Sequence, residues 1–200
     1  VSDGDGDEDE ETLSIYIEDS EPVVDSNLNK LVQLDDDALA GGHAGGVGDA
    51  DPDSVNLTGT LDFDAGADGI QSIVLTGVGI TGSSLGLGLG LGHPDSSTQK
   101  IIVQEVDGVL KPVFRVNLSD TTSGAYTVTQ LAALEHKDGQ NENNVSFAIL
   151  YQVTDNDGDK AEGTIWLDLN DDSPLAVVDS SDVDEGQTLT VLAAGGVLVN

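Results

Sequence analysis

The stretch VSFAILYQVTDNDGDKAEGTIWLDL, residues 145–169, decides the fold. Val145, Phe147, Ile149, Tyr151 and Val153 recur with a period of two, which puts them on one face of a strand. Ile165, Leu167 and Leu169 likewise share a face, opposite Trp166. Trp166 could be surface-exposed on that opposite face, but a lone Trp is more often a packing residue. Between the two runs lies Asp155-Asn156-Asp157-Gly158-Asp159. Asp157-Gly158 matches the type I′ hairpin turn, in which both central residues take positive φ. The segments 145–153 and 161–169 are therefore predicted to pair as a hairpin about Asp157-Gly158.

The same reading extends upstream. LTGTLDFDA (57–65), SIVLTGVGI (72–80), KIIVQEV (100–106), VFRVNL (113–118) and AYTVTQL (125–131) are short, rich in β-branched residues and separated by Gly, Asn, Asp and Ser. Several such strands with turn signals between them predict an all-β fold, an antiparallel β-sandwich. Only Leu131–Glu135 reads as a helical turn. In SSLGLGLGLGHPD (83–95), alternating Gly and Leu would put every Leu of a strand on one face or form a hairpin tip. A hairpin between sheet strands is expected.

The chain repeats itself. Residues 1–22 read VSDGDGDEDEETLSIYIEDSEP, and residues 153–174 read VTDNDGDKAEGTIWLDLNDDSP. Val1, Asp3, Asp5, Gly6, Asp7, Glu10, Thr12, Asp19 and Pro22 recur without a gap as Val153, Asp155, Asp157, Gly158, Asp159, Glu162, Thr164, Asp171 and Pro174. Internal similarity at fixed spacing marks a repeat architecture. Residues 1–20 read as the end of one repeat and its linker, 21–172 as a complete β-sandwich repeat, and 173–200 as a linker and the start of the next. The acidic beginning at Val1 reads as the interior of a longer chain.

Composition narrows the function. The 200 residues carry 38 acidic and 6 basic side chains, a formal net charge of −32. Nucleic acid needs Lys and Arg for its phosphates, so it is not expected as a partner. Anionic membranes are disfavoured for the same reason, and no apolar run approaches the roughly 18 residues of a membrane span. Disordered chains can be this acidic, but 38% of these residues are hydrophobic, enough for packed sheets. Absence of Cys removes disulfides and thiolate metal sites. Such a fold must tolerate heavy self-repulsion, through bound cations or high salt, and copies should repel one another, leaving a monomer.

The turn at 155–159 asks for a metal. An Asp-Gly turn explains Asp157 and Gly158. It does not explain Asp155 and Asp159, nor the same spacing at Asp3, Asp5 and Asp7. Unit charges about 4 Å apart interact by roughly 4 kcal/mol at an effective dielectric near 20. Oxygen-only clusters suit Ca²⁺, which takes 6–8 oxygen ligands in flexible geometry; the alternative is a merely solvated acidic turn. The spacing is not that of an EF-hand, because position 12 of the loop would be Trp166. GGVGDAD (45–51) lacks the Asp of the calcium-binding nonapeptide at Ala50 and reads as a Gly-rich loop.

A second acidic cluster, Asp168-Leu169-Asn170-Asp171-Asp172-Ser173-Pro174, ends the last strand. It resembles the cadherin linker pattern DxNDNxP, with Asp172 in place of Asn. In cadherins that linker binds calcium with a DxD pair and a Glu of the preceding domain, so the resemblance implies Asp155 and Asp157 as partners of Asp168, Asn170, Asp171 and Asp172. The following segment offers Asp182, Asp184 and Glu185. The upstream junction offers Asp3, Asp5, Asp7, Glu18 and Asp19 with Asp35, Asp36 and Asp37; its linker, YIEDSEP, departs from the pattern at Tyr16 and Glu18.

VTDNDGDKAEGTIWLDLNDDSP, with LEHKDGQNENNVSFAILYQ before it and QLDDDALAGG at the front, resembles the long tandem repeat of type I secreted RTX adhesins. DVDEGQTLTVLAAGGVLVN is similar to the opening of a cadherin-like bacterial repeat. The resemblance implies an Ig-like or cadherin-like sandwich, export to the surface of a Gram-negative cell, and a stalk whose partners are the neighbouring repeats of its own chain.

Other chemistry finds little support. His43, His93 and His136 sit in separate polar or Gly-rich segments with no visible convergence. No nucleophile elbow or phosphate-cradling loop is present, so no enzyme is expected. Asp62 and Asp64 read as a solvated strand face rather than paired catalytic carboxylates. The leading expectation is a calcium-stiffened structural repeat. The competing one is a ligand-binding adhesin module for a sugar, ice or a protein surface, and a plain halophilic surface protein is a further alternative.

Overall fold

A computed structural model describes residues 1–43, 45, 49, 54–139, 143–172, 180 and 182–190. In chain order the strands are β1 (Val23–Val24), β2 (Val32–Asp35), β3 (Asn56–Thr60), β4 (Phe63–Asp64), β5 (Ile70–Ile80) and β6 (Leu89–Leu91). There follow β7 (Gln99–Val106), β8 (Val109–Leu118), β9 (Ala125–Gln130), β10 (Val145–Asp155) and β11 (Lys160–Asn170). One sheet runs β2-β11-β10-β5 and the other β3-β9-β8-β7-β6, while β1 and β4 form a short separate ladder. The fold is an all-β sandwich.

The inward alternation of β10 makes a central strip of the core. Phe147, Ile149, Tyr151 and Val153 are completely buried, with Ile165, Leu167 and Leu169 of β11 beside them. They meet Phe114, Val116, Tyr126 and Val128 of the second sheet in one apolar cluster. The rings of Phe114 and Phe147 stand 5.2 Å apart, centre to centre. Each such side chain contributes about 1.5–3 kcal/mol by leaving water. Gly163 faces Tyr151 across the ladder, and a Cβ there would lie 2.4 Å from the ring. Any side chain at 163 would collide with that ring.

The β10–β11 hairpin pairs Val145 with Leu169 through to Thr154 with Lys160. Its turn is not type I′. Among the described residues, Asp107 is the one non-glycine residue with positive φ, so Asp157 lacks the required conformation. The type I′ geometry occurs instead at Asp107-Gly108, φ 51° and 78°, which joins β7 to β8. At the other turn the chain closes on itself between Asp155 N and Asp159 O (3.1 Å) and wraps the Asp155 carboxylate. Gly158, φ 108°, supplies the left-handed step.

Two further expectations need correction, and two others gain detail. Trp166 points outward and is 42% exposed, because it alternates with buried Ile165 and Leu167. Leu131–Glu135 forms no helical turn: Leu134 N–H donates to Asp36 Oδ2 (3.1 Å) and Glu135 N–H to Gln104 Oε1 (2.8 Å). Tertiary acceptors thus take the donors a helical turn would use. In the Gly-Leu segment β6 does form a hairpin with β7, yet the leucines do not share one environment: Leu87 is buried and Leu85 exposed. Finally, β2 joins β11 in parallel, Val32 beside Leu167 and Asp35 beside Asn170, an exception to the antiparallel ladders. The two strands are far apart in sequence, so no tight turn dictates their direction. No helix among the described residues is long and apolar enough to cross a membrane.

Candidate metal centres

The acidic residues collect at both ends of the β10–β11 hairpin. Ten residue-to-residue steps of strand lead from Lys160 to Asn170, a span of about 33 Å at roughly 3.3 Å per step. Asp155 and Asp157 therefore cannot share one ion with Asp168, Asn170, Asp171 and Asp172 of the same repeat. The single combined site that the linker pattern implies is corrected to two poles.

At the turn pole, Asp155 Oδ1 accepts from Gly158 N–H (3.0 Å) and Asp159 N–H (2.8 Å). Its other oxygen, Oδ2, is buried and has no hydrogen-bond partner. Carboxylate oxygens of Asp155, Asp157 and Asp159 lie within 4.8 Å of one another, as do those of Asp19, Asp68 and Asp157. Asp157 belongs to both groups, so five carboxylates surround one turn. Asn156 brings Asp68 there: its Nδ2 donates to Asp68 O (2.7 Å) and its N–H to Gly69 O (3.1 Å). Ser20 brings Asp19, because its hydroxyl accepts from Ala67 N–H (3.1 Å) on the same loop.

The electrostatics follow from this crowding. Asp157 is pushed up to about 6, first by the Asp155 side chain, then by desolvation and by Asp19. Asp159 is raised by desolvation, Asp19, Asp155 and Glu21. Asp155 is lowered: burial opposes its charge, but the Asp157 side chain and the turn's N–H groups outweigh it. A buried carboxylate oxygen without a donor, facing further carboxylates, fits a hard cation with oxygen ligands. The donor set suits Ca²⁺.

Asp3, Asp5 and Asp7 build the same turn on the exposed N-terminal segment. Asp3 Oδ1 accepts from Gly6 N–H (3.2 Å) and Asp7 N–H (3.0 Å), and Gly6 has φ 98°.

The opposite pole is a product of the parallel β2–β11 pair, whose ends deliver 35–37 and 170–172 side by side. Asp35 caps a short 3-10 turn, accepting from Asp37 N–H (2.8 Å). Asp36 is buried, and its Oδ1 accepts from Gln130. His136 Nε2 lies 3.3 Å from Asp36 Oδ2 and 3.7 Å from Asp171 Oδ1. Asn170 is buried, and its Oδ1 lacks a hydrogen bond. Asp172 Oδ1 accepts from His43 N–H (3.4 Å). Asp168 is diverted, because its carboxylate accepts from Ser146 Oγ (2.8 Å). Asp184 and Glu185 are exposed and join none of the acidic groups found among the described residues. The Gly-rich 45–51 loop and the segments 173–179 and 191–200 lie largely or wholly outside the described residues.

Two participants escaped the sequence reading. Asp68 shows only as part of an Asp-Gly turn, and its role depends on where Asn156 holds the loop. His136 has no neighbour of its own kind; its partners come from the 3-10 turn after β2 and from the residue after β11.

A family model matches residues 31–169, well over half of the chain. The chain belongs to DUF5801, a domain of unknown function. The DUF5801 match takes in Asp36, Asp68, His136 and the whole 155–159 turn. Asp19 and Asp171 flank it on either side. No curated protein and no solved structure matches the chain.

Proposed function

We propose that this DUF5801 chain is a calcium-binding structural repeat, a stalk module of a large adhesin exported to the surface of a Gram-negative cell. The observation that carries the reading is the convergence of Asp19, from the segment before the sandwich, on Asp68 and Asp157 at the turn pole. An ion held there ties the linker to the sandwich where bare carboxylates repel. The buried, donor-free Oδ2 of Asp155 supports a cation at the same place. The resemblance of 153–174 to RTX adhesin repeats supplies the cellular setting, and the partners are neighbouring copies of the repeat. With this charge copies of the chain repel one another, so it acts as a monomer.

The test is a thermal melt in CaCl₂ against NaCl at matched ionic strength. Binding to the folded state alone stabilises it by RT ln(1 + [L]/Kd), about 2.7 kcal/mol at a hundredfold excess over Kd. That is a shift of several degrees for a domain of this size. Mg²⁺ substitutes badly, because it prefers tight octahedral geometry and keeps its waters. Asp157→Ala removes much of the calcium response. Equal stabilisation by NaCl overturns the reading in favour of generic halophilic acidity.

A further inference from the structure

The pole opposite the turn differs chemically from it, because an imidazole stands among its carboxylates. His136 Nδ1 lies 2.6 Å from the carbonyl oxygen of Asn143. A carbonyl only accepts, so Nδ1 carries the hydrogen, and the neutral ring presents a bare lone pair at Nε2. That lone pair faces the oxygens of Asp36 and Asp171 at 3.3 and 3.7 Å. Three electron-rich atoms converge with nothing positive between them. Nε2 is buried without a hydrogen bond, in a side chain only 4% exposed. Either a proton or a metal ion must occupy the space. A proton on Nε2 would give an imidazolium paired with Asp36 Oδ2 and Asp171 Oδ1 at 3.3 and 3.7 Å, and a bound dication would take that proton's place between the same atoms.

We propose that Asp36, His136 and Asp171 form a site for a first-row transition-metal dication, with Zn²⁺ as its representative, separate from the calcium site at the turn. Ca²⁺ takes oxygen ligands, whereas one imidazole with carboxylates suits Zn²⁺ and its neighbours. Ligand atoms about 2.0–2.1 Å from a tetrahedral ion stand about 3.3 Å apart, close to the separations observed. The supporting contacts are of the kind metal sites use. The Asn143 carbonyl fixes the ring's tautomer and orientation. Gln130 and the Leu134 N–H hold the Asp36 carboxylate. A groove lined by Asp36, Leu39, Gly42, Ala133 and Asp172 gives the ion a route in and leaves room for water as a fourth ligand.

The experiment uses the whole chain, stripped with chelator and then saturated with CaCl₂ so that the turn pole is filled. ZnCl₂ is titrated by calorimetry and CoCl₂ by visible absorption, which reports tetrahedral cobalt directly. Zn²⁺ should bind with one-to-one stoichiometry and shift the ¹⁵N resonance of His136 Nε2. His136→Gln and Asp171→Asn should each weaken binding at least about tenfold. His43→Gln and His93→Gln should leave it unchanged. A cooperative thermal transition like that of the native chain shows that a variant is folded. Should His136→Gln fail that control, Asp171→Asn and the Nε2 resonance of the native chain still decide. No zinc binding, zinc binding indifferent to His136 and Asp171, or an imidazole protonated on both nitrogens in excess Zn²⁺ would each overturn the proposal. None of these outcomes touches the calcium response that Asp157 controls.

Discussion

Lowering the pH should set calcium and protons in competition for one carboxylate. In the metal-free fold, Asp157 titrates at about 6 instead of its ordinary 3.8, chiefly because Asp155 already holds the negative charge beside it. Calcium requires the deprotonated carboxylate. With one competing proton of pKa about 6, the apparent Kd should be about tenfold weaker at pH 5 than at pH 7. The same shift has a consequence for stability without metal. Between pH 3.8 and about 6 the folded chain holds a proton that the unfolded chain has lost. Stability must then fall as pH rises through that window. The raised Asp159 and Asp36 push in the same direction. Asp155, lowered, acts oppositely but only below its ordinary 3.8. Saturating CaCl₂ should flatten the profile or invert it. Calorimetric titration at the two pH values and melting curves with EDTA measure both effects. An unchanged Kd, or a metal-free melting temperature that climbs between pH 4 and 6, would refute the crowding assigned to this turn.

Asp68→Asn should weaken calcium on the order of tenfold, since affinity follows the charge count of the ligands; a Kd equal to that of the native chain would remove Asp68 from the site. Gly158→Ala forces a side chain into φ 108° and should cost about 1–3 kcal/mol of stability in urea unfolding, while the Asp107-Gly108 hairpin stays intact. Phe147→Ala empties the centre of the core and should cost about 3–5 kcal/mol; a loss below about 1 kcal/mol would mean the two sheets do not close on this ring.

The strands were legible because alternation is a local property. Val145, Phe147, Ile149, Tyr151 and Val153 declare their face by spacing alone, and so do Ile165, Leu167 and Leu169. The turn between them was legible as a turn but not in its form. Asp-Gly suits type I′ at 107–108, where nothing competes. At 157–158 the Asp155 carboxylate captures two backbone N–H groups and reshapes the loop. The pairing of β2 with β11 left no local trace, since it depends on how the whole sandwich closes. It is also what gathers Asp36, His136 and Asp171, so this mixed-donor cluster was invisible for the same reason. Trp166 misled because burial frequency describes residue types, whereas its place between two inward residues sends it out.

The repeat places one carboxylate in two settings. Asp19 lies against the turn pole of the sandwich that follows it, and Asp171, its counterpart 152 residues later, lies against the opposite pole of the sandwich that precedes it. Where copies follow one another, a single linker aspartate thus stands between the far pole of one and the turn pole of the next. A carboxylate has two oxygens and can serve both sides. Ordinary salt cannot do what a bound ion does there. Screening operates over about 8–10 Å at physiological ionic strength, and these oxygens lie within 4.8 Å of each other, well inside that distance. Mobile ions soften the repulsion between whole repeats without relieving it inside the cluster. Only a cation seated among the oxygens reverses the sign of the force on the linker, which is why stiffness of such an array should follow the concentration of calcium and not ionic strength.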